Sequence, residues 1–488
     1  MGIHKSTAHM PHRAIPHAPL RPGEHGGFAG SPGPSYFETV MSGTAAEGGR
    51  LRRRGDGEAR SWKARAWAEL EAARARMLGM LAGLPEAELL RQHSPLMSPL
   101  IWDVAHVANY EEQWLLRTLG APAFTDAAFD ALYDAFRNPR ATRSELPLLE
   151  PSAAFAYAAR VRQAVREHLE SLPEESAEPL LKDGYVFGMV AQHEQQHAET
   201  LAATLQLMTS VEYRVPSPRP RPRPGAVPLE EVFIPGGPVR LGSDAPWAYD
   251  NERPAHTAHV APFLIDAHPV TNGDYLVFVE SGGYEEPRWW HPEGWAFVQS
   301  QGLRHPQFWL PQGQHVWLRR RFGQVEPLPK DEPVQHVCWY EADAYARWAG
   351  KRLPTEAEWE KAAKGSDGTP REHPWGDAAP TEAHANLGGD TWGPAPVGAY
   401  PAGVSADGVW GLLGDVWEWT ASDFLPYAGF RAFPYREYSE VFFGGTYKVL
   451  RGGAWASAPV AVRGAFRNWD LPIRRQIFAG FRCARDVR

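Results

Sequence analysis

Apolar residues recur every three or four positions along WKARAWAELEAARARMLGMLAGL, which begins at Trp62. That spacing lays them along one stripe of an α-helix. Three further segments carry the same period. LIWDVAHVANYEEQWLLRTLG is opened by Ser98 as N-cap and Pro99 at the first helical position, and closed at Gly120. SAAFAYAARVRQAVREHLESL and YVFGMVAQHEQQHAETLAATLQLM follow. Four amphipathic helices imply a bundle. The period stops at VPSPRPRPRPGAVP, residues 215–228, where alternating Arg and Pro exclude helix and central strand and predict an extended linker. Beyond it, residues 229–488 hold short β-like runs (VFIPGG, APFLIDAHPV, VLRGGAW) among many Gly, Pro and Trp. The clearest helices there are YEADAYARWAG and TEAEWEKAAKG, the second opened by a Thr355-x-x-Glu358 capping box. The expected chain is therefore multidomain, a helical bundle over 58–214 followed by a mixed α+β domain over 229–488. Residues 1–57, rich in Pro, Gly, His and Arg, show no period and read as a disordered tail.

Composition narrows the function classes more than the fold. A chain of 488 residues exceeds what one core usually organises, so two domains are the default. With 43% hydrophobic and 22% charged residues it reads as an ordinary soluble globular protein. A net charge of −8 gives no electrostatic reason to expect nucleic acid or an anionic membrane as partner. No apolar run approaches the roughly 18–20 residues of a membrane helix, and no apolar segment behind the first basic residues marks a secretory signal. Cys338 and Cys483 are the two cysteines. They leave room for one disulfide but build no framework, which suits the cytoplasm.

The chemistry concentrates in HEQQHAET, residues 193–200, whose first five residues satisfy H-E-x-x-H. On a helix, His193 and His197 project from one face about one turn apart, a spacing that suits two imidazoles on one metal. An isolated H-x-x-x-H is more often a solvated polar face. His106, mid-helix in WDVAHVANY, counts against that reading, because an unpartnered imidazole among apolar residues is costly to bury. A bundle that joins the second and fourth helices would gather His106, His193 and His197 on one face. The competing reading is a zinc hydrolase with Glu194 as general base. It lacks the extended H-E-x-x-H-x-x-G-x-x-H pattern, since Ala198, Glu199, Thr200 and Leu201 follow His197.

The segments FIPGGPVRLGS, ERPAHTAHVAPFLIDAHPVTNGDY, PVQHVCWYEADAYARWAGKRLPTEAEWEKAAKG, GVWGLLGDVWEWTAS and VLRGGAWA…GFRCA resemble the formylglycine-generating-enzyme (sulfatase-modifying factor) fold. The bundle with HEQQH resembles the DinB-like bundles. In this order, and with WDVAHVANYEEQWLLR and FRNWDLPIRRQIFAGFR also matching, the two are similar to the iron-dependent sulfoxide synthases of ergothioneine biosynthesis, the hercynine oxygenases. The resemblance covers nearly everything from about residue 60. The stretch between RGG-W and GFRCA, where the formylglycine enzymes carry a cysteine pair, has no cysteine here. That cysteine-oxidising chemistry is therefore not expected.

The resemblance implies Fe(II) on His106, His193 and His197, O₂ as co-substrate, and hercynine and γ-glutamyl-cysteine as partners. It implies Tyr435 as the proton donor of a Tyr-x-x-Tyr pair with Tyr438. Without the resemblance, two packing tyrosines would be the simpler reading. Gln196, Asn468 and Trp469 would fall near hercynine, the indole holding its trimethylammonium by cation–π attraction. Asp470 and Arg474 would meet the amino and carboxylate groups of the thiol substrate. Arg140 and Arg143 match an Arg-x-x-Arg pair for the γ-glutamyl-cysteine carboxylates, as guanidinium forks suit; an exposed basic loop, with Arg137 confusable for Arg140, is the plainer reading. Free cysteine as the thiol donor is the alternative within the family. A non-enzymatic ligand-binding module is the alternative outside it, since the C-terminal fold is related to C-type lectin-like domains. By analogy with the formylglycine enzymes, the C-terminal domain is also a candidate for a structural Ca²⁺.

Overall fold

A computed structural model describes residues 61–487 apart from 217, 221, 228, 229 and 314. The tail read over residues 1–57 lies outside the described residues.

Ser61 starts the first helix, its side chain accepting the Lys63 amide, and α1 runs Trp62–Leu81. The second helix, α2, spans Leu100–Glu111. Sequence reasoning made Ser98 its N-cap, but Pro99 takes that place with no side-chain bond, and the Ser98 hydroxyl accepts from Arg143 Nη1 at 2.7 Å instead. Nor does the helix continue unchanged to Gly120. Residues Glu112–Arg117 widen into a π-helix, a feature that often accompanies functional sites. The remaining bundle helices are α3 (Pro151–Ser171) and α4 (Tyr185–Leu207). Helix α1 packs on α4, and α2 packs on both α3 and α4. Buried from two sides, α2 shows no polar stripe to solvent, and its polar residues Asp103, His106, Asn109 and Glu111 are buried as well.

Four charged side chains, one from each helix, meet inside this bundle. Arg74 of α1 bonds Glu194 at 2.5 Å and Glu111 at 2.8 Å, while Arg162 of α3 bonds Glu111 at 2.6 Å and Glu194 at 2.7 Å. Glu111 belongs to α2 and Glu194 to α4, and all four residues are buried. Two guanidinium forks facing two carboxylates leave no net charge and few idle lone pairs, the condition under which a buried ion cluster is tolerated.

The C-terminal residues form small sheets rather than one large one. β1 (Glu231–Ile234) and β12 (Ala484–Asp486) flank β4 (Phe263–Asp266), β2 (Gly237–Leu241) pairs β3 (His256–Val260), and β5 (Trp309–Pro311), β6 (Trp317–Arg321) and β7 (Gln324–Pro327) form a meander. The fourth sheet runs β10–β9–β8–β11, from β8 (Trp417–Phe424), β9 (Gly444–Arg451), β10 (Asn468–Asp470) and β11 (Ala479–Gly480). Its β8–β9 register shifts between Trp419 and Phe424, before the long 425–443 connection. Helices α5 (Asn272–Glu280), α6 (Pro292–Gln301), α7 (Trp339–Trp348) and α8 (Glu356–Lys364) pack among these sheets. The Thr355–Glu358 capping box forms as expected. Helix α5 escaped the sequence pattern because its apolar run has little helical amphipathicity; its Thr271–Asp274 capping box was the available signal. Cys338 and Cys483 are both buried and unpaired, so the single disulfide left open does not form. Among the described residues, no helix is long and apolar enough to cross a membrane.

The ion square makes a direct prediction. Replacing Arg162 with methionine leaves Arg74 alone against two buried carboxylates. The protein should lose about 3–5 kcal/mol of stability, read as a lowered urea midpoint by tryptophan fluorescence. An unchanged midpoint would mean that the square does not hold the bundle.

Candidate metal centre

His106 on α2 faces His193 and His197 on α4, and one ligand atom from each lies within 4.8 Å of the other two. The ring centroids are 5.2 Å (His106–His193), 4.7 Å (His106–His197) and 4.6 Å (His193–His197) apart. The cluster can hold a metal ion. Two of the three rings are oriented by hydrogen bonds at Nδ1. His106 Nδ1 lies 2.7 Å from the Tyr133 carbonyl, which can only accept, so this nitrogen carries the proton and Nε2 keeps its lone pair. His197 Nδ1 lies 2.8 Å from Asp103 Oδ1, which acts in the same way. Such outer partners fix the tautomer and raise the basicity of metal-bound imidazoles. The buried Nδ1 of His193 has no protein partner. Burial, then the neighbouring His197, holds the His106 and His193 pKa values well below the ordinary imidazole range, so both are neutral and able to donate a lone pair. These residues fit a metal ion of the kind that accepts nitrogen donors and retains open positions.

Glu194 does not share this face. Its carboxylate is spent in the ion square, where burial opposes and Arg74 and Arg162 favour ionisation, with a net lowering of its pKa. A zinc hydrolase using HEQQH needs this residue free to take a proton from water, and here two guanidinium groups hold it elsewhere.

A cavity of about 410 Å³ opens beside His197, between α4 and the C-terminal domain. Arg140, Gln196, Tyr438, Asn468, Trp469, Asp470 and Arg474, distant in sequence, all line it. Trp469 stacks on Phe424 with centroids 4.1 Å apart, so one face of the indole is covered. Asp470 pairs with Arg474 at 3.3 Å; burial pushes its carboxyl pKa up and the Arg474 charge opposes this. The Arg474 atom in that ion pair is Nε, while its Nη1 is buried without a hydrogen-bond partner, and Gln476, also in the wall, keeps Oε1 likewise. An unused donor and an unused acceptor in a cavity wall mark a place for a polar ligand. Burial lowers the Arg140 pKa, and the nearby Arg474 charge adds to this, so two guanidinium groups are crowded on one side.

Arg143 is not brought to that wall. Its Nε donates to the Asn138 carbonyl at 2.9 Å, its Nη1 to Ser98 and its Nη2 to the Ala135 carbonyl at 3.3 Å. Its guanidinium lies 3.6 Å over the Trp102 ring, and Trp102 in turn stacks on His106. Only Arg140 of the Arg-x-x-Arg pair faces the cavity, while Arg143 supports its loop from behind. Tyr435 is likewise outside the cavity lining. Its hydroxyl meets that of Tyr110 at 2.9 Å, and Tyr110 stacks on His193. Burial raises the pKa of Tyr435, so the phenol keeps its proton at neutral pH.

Sequence reasoning missed three residues of this region. Asp103 and Tyr110 lie three residues before and four after His106, on its helix face, and that spacing was the available signal. Glu199, inside HEQQHAET, accepts Trp417 Nε1 and Ser457 Oγ, each at 2.6 Å, and thereby ties α4 to the C-terminal domain.

Residues 69–201 match the DinB superfamily and residues 216–487 the sulfatase-modifying factor enzyme 1-like domain. The chain is 51% identical over 433 residues to the hercynine oxygenase of Mycolicibacterium smegmatis, covering 86% of this chain and 98% of that protein. To the hercynine oxygenase of Mycobacterium tuberculosis it is 50% identical over 425 residues, again covering 86% and 98%. A formylglycine-generating enzyme from Thermomonospora curvata is 33% identical over 288 residues, covering 52% of this chain and 93% of that one, so it is similar to the C-terminal part alone. With such similarity running through both the bundle and the domain behind it, the chain belongs to the hercynine oxygenase family.

Proposed function

We propose that the protein joins the sulfur of γ-glutamyl-cysteine to C2 of hercynine, Nα-trimethylhistidine, and oxidises that sulfur to the sulfoxide with O₂. In the balanced reaction the imidazole C2–H and the thiol S–H are lost. A C–S and an S–O bond form, and the second oxygen atom leaves as water. The observation that carries the reading is a three-histidine face beside a cavity whose wall holds two guanidinium groups, one with an unpartnered Nη1, in a chain of this family.

Held by His106, His193 and His197, Fe(II) would supply the electrons that activate O₂ and the open positions that gather the reactants. The protein does the rest. Gln196 and Asn468 orient hercynine, and Trp469 receives its trimethylammonium on the ring surface that Phe424 leaves free. Arg474 and Arg140 receive the carboxylates of the thiol substrate, and Asp470 its ammonium, with charge-assisted bonds that fix its direction. Two cavity-facing arginines favour a thiol with two carboxylates over free cysteine. Tyr435 holds a proton for donation at the centre, and Tyr438, three residues on, lines the cavity. The Asp103–His197 bond keeps one ligand nitrogen aimed.

Anaerobic reconstitution with Fe(II), followed by hercynine and either thiol, should give hercynine-dependent O₂ uptake and a sulfoxide, faster with γ-glutamyl-cysteine. Absence of product with both thiols would overturn the reading. Asp103→Asn should weaken Fe(II) binding by roughly 10- to 100-fold in a metal titration. Tyr435→Phe should keep its iron while sulfoxide formation falls by roughly 100-fold; undiminished coupling would remove Tyr435 from the role. Arg474→Leu should raise the KM for γ-glutamyl-cysteine about tenfold or more and leave that for hercynine nearly unchanged.

A further inference from the structure

Tyr110 joins two parts of the site that come from different domains. Four residues beyond His106 on α2, it shares that helix face. Its ring stacks on the His193 imidazole, with centroids 3.9 Å apart and planes 22° from parallel. Its hydroxyl sits 2.9 Å from that of Tyr435. Trp114, a further four residues on, stacks on the Tyr435 ring at 5.3 Å. Tyr435 is therefore gripped by two aromatic side chains of the bundle, its face by Trp114 and its hydroxyl by Tyr110.

Tyr435 needs such a grip. Between residues 425 and 443 the only regular structure is a pair of short 3₁₀ turns, Arg436–Tyr438 and Glu440–Phe442. The backbone is pinned on either side of the tyrosine. Phe433 N donates to Asp250 Oδ2 at 3.2 Å, and Ser439 Oγ donates to Asp250 Oδ1 at 2.5 Å. Those bonds place the segment but leave the direction of the phenol to be decided by its neighbours. A core tyrosine that served packing alone would be matched by phenylalanine. Here the two hydroxyls satisfy each other, and the ring that carries one of them lies flat on a histidine of the cluster.

We propose that Tyr110 is a positioning residue that registers the Tyr435 phenol against the three-histidine face, its ring holding His193 and its hydroxyl holding Tyr435. When Tyr110 donates the shared bond, the Tyr435 O–H is left free to turn towards a third group; with the direction reversed, that proton is occupied. The inference rests on Tyr435 being the proton donor of the proposed reaction.

Tyr110→Phe keeps the ring and removes the hydroxyl, whereas Tyr110→Leu removes both. In an Fe(II) titration the phenylalanine variant should bind within about twofold of the parent. The leucine variant should bind about fivefold more weakly, the scale of one lost aromatic stack. Sulfoxide formation by Tyr110→Phe should drop about five- to tenfold in kcat, the size of one positioned hydrogen bond, with the hercynine KM held within about twofold. Added to Tyr435→Phe, Tyr110→Phe should have no further effect on product formation, because the two hydroxyls act as one unit. Full turnover by Tyr110→Phe beside an impaired Tyr435→Phe would overturn the inference and leave the proton-donor reading standing. Multiplicative losses in the double variant, or equal loss of iron from the phenylalanine and leucine variants, would overturn it as well. Normal coupling by Tyr435→Phe would instead sink the proton-donor reading, and the hydroxyl role of Tyr110 with it.

Discussion

The square of Arg74, Glu111, Arg162 and Glu194 is the constraint on which the rest of the site depends. Removing four charges from water is costly, and their mutual attraction repays this only when all four donors and acceptors meet in register. Each charge comes from a different helix, so that register exists in one arrangement of the bundle and not in neighbouring ones. Glu111 directly follows Tyr110 on α2, and Glu194 directly follows His193 on α4. Fixing these carboxylates therefore fixes the rotation of both helices, and with it the direction in which His106, Tyr110, His193 and His197 project. The acidic residue of H-E-x-x-H acts here through its place in the scaffold.

From that rotation the site follows outward. Asp103 and the Tyr133 carbonyl orient two imidazoles from behind, and Arg143 and Trp102 back the His106 ring in a stack. On the open side, Glu199 holds Trp417 and Ser457, which seats the C-terminal domain against α4 and closes a cavity between them. The helices thus provide the three-histidine face with Gln196 and Arg140 beside it, while β10 and the 425–443 connection bring Asn468, Trp469, Asp470 and the two tyrosines. Neither part holds both the three histidines and the cavity wall alone.

The bundle was legible because helical periodicity is a local signal and its four stripes are long. Its breaks were less so. The π-helical turn after Glu111 and the role of Ser98 as an acceptor for Arg143 depend on tertiary partners that no local pattern encodes. His193 and His197 were visible by spacing, and His106 by the cost of burying an imidazole among apolar neighbours. Tyr435, Asn468 and Asp470 had no such signal and were reached by resemblance alone. Resemblance alone reached Arg143 too, and its fork is occupied by the loop and by Ser98. Tyr110 was in plain view one turn after His106, but a tyrosine on a buried helix reads as packing until its partner from the other domain is in place.

The central claim is that a ferrous ion sits on three imidazoles facing the cavity. X-ray absorption at the iron edge of the anaerobically reconstituted protein, before and after hercynine is added, tests it most directly. The account predicts a first shell of nitrogen and oxygen atoms with three histidine-type scattering contributions, and loss of one of these in His106→Ala. A shell with two imidazoles and a carboxylate, or one unaffected by His106→Ala, would contradict it.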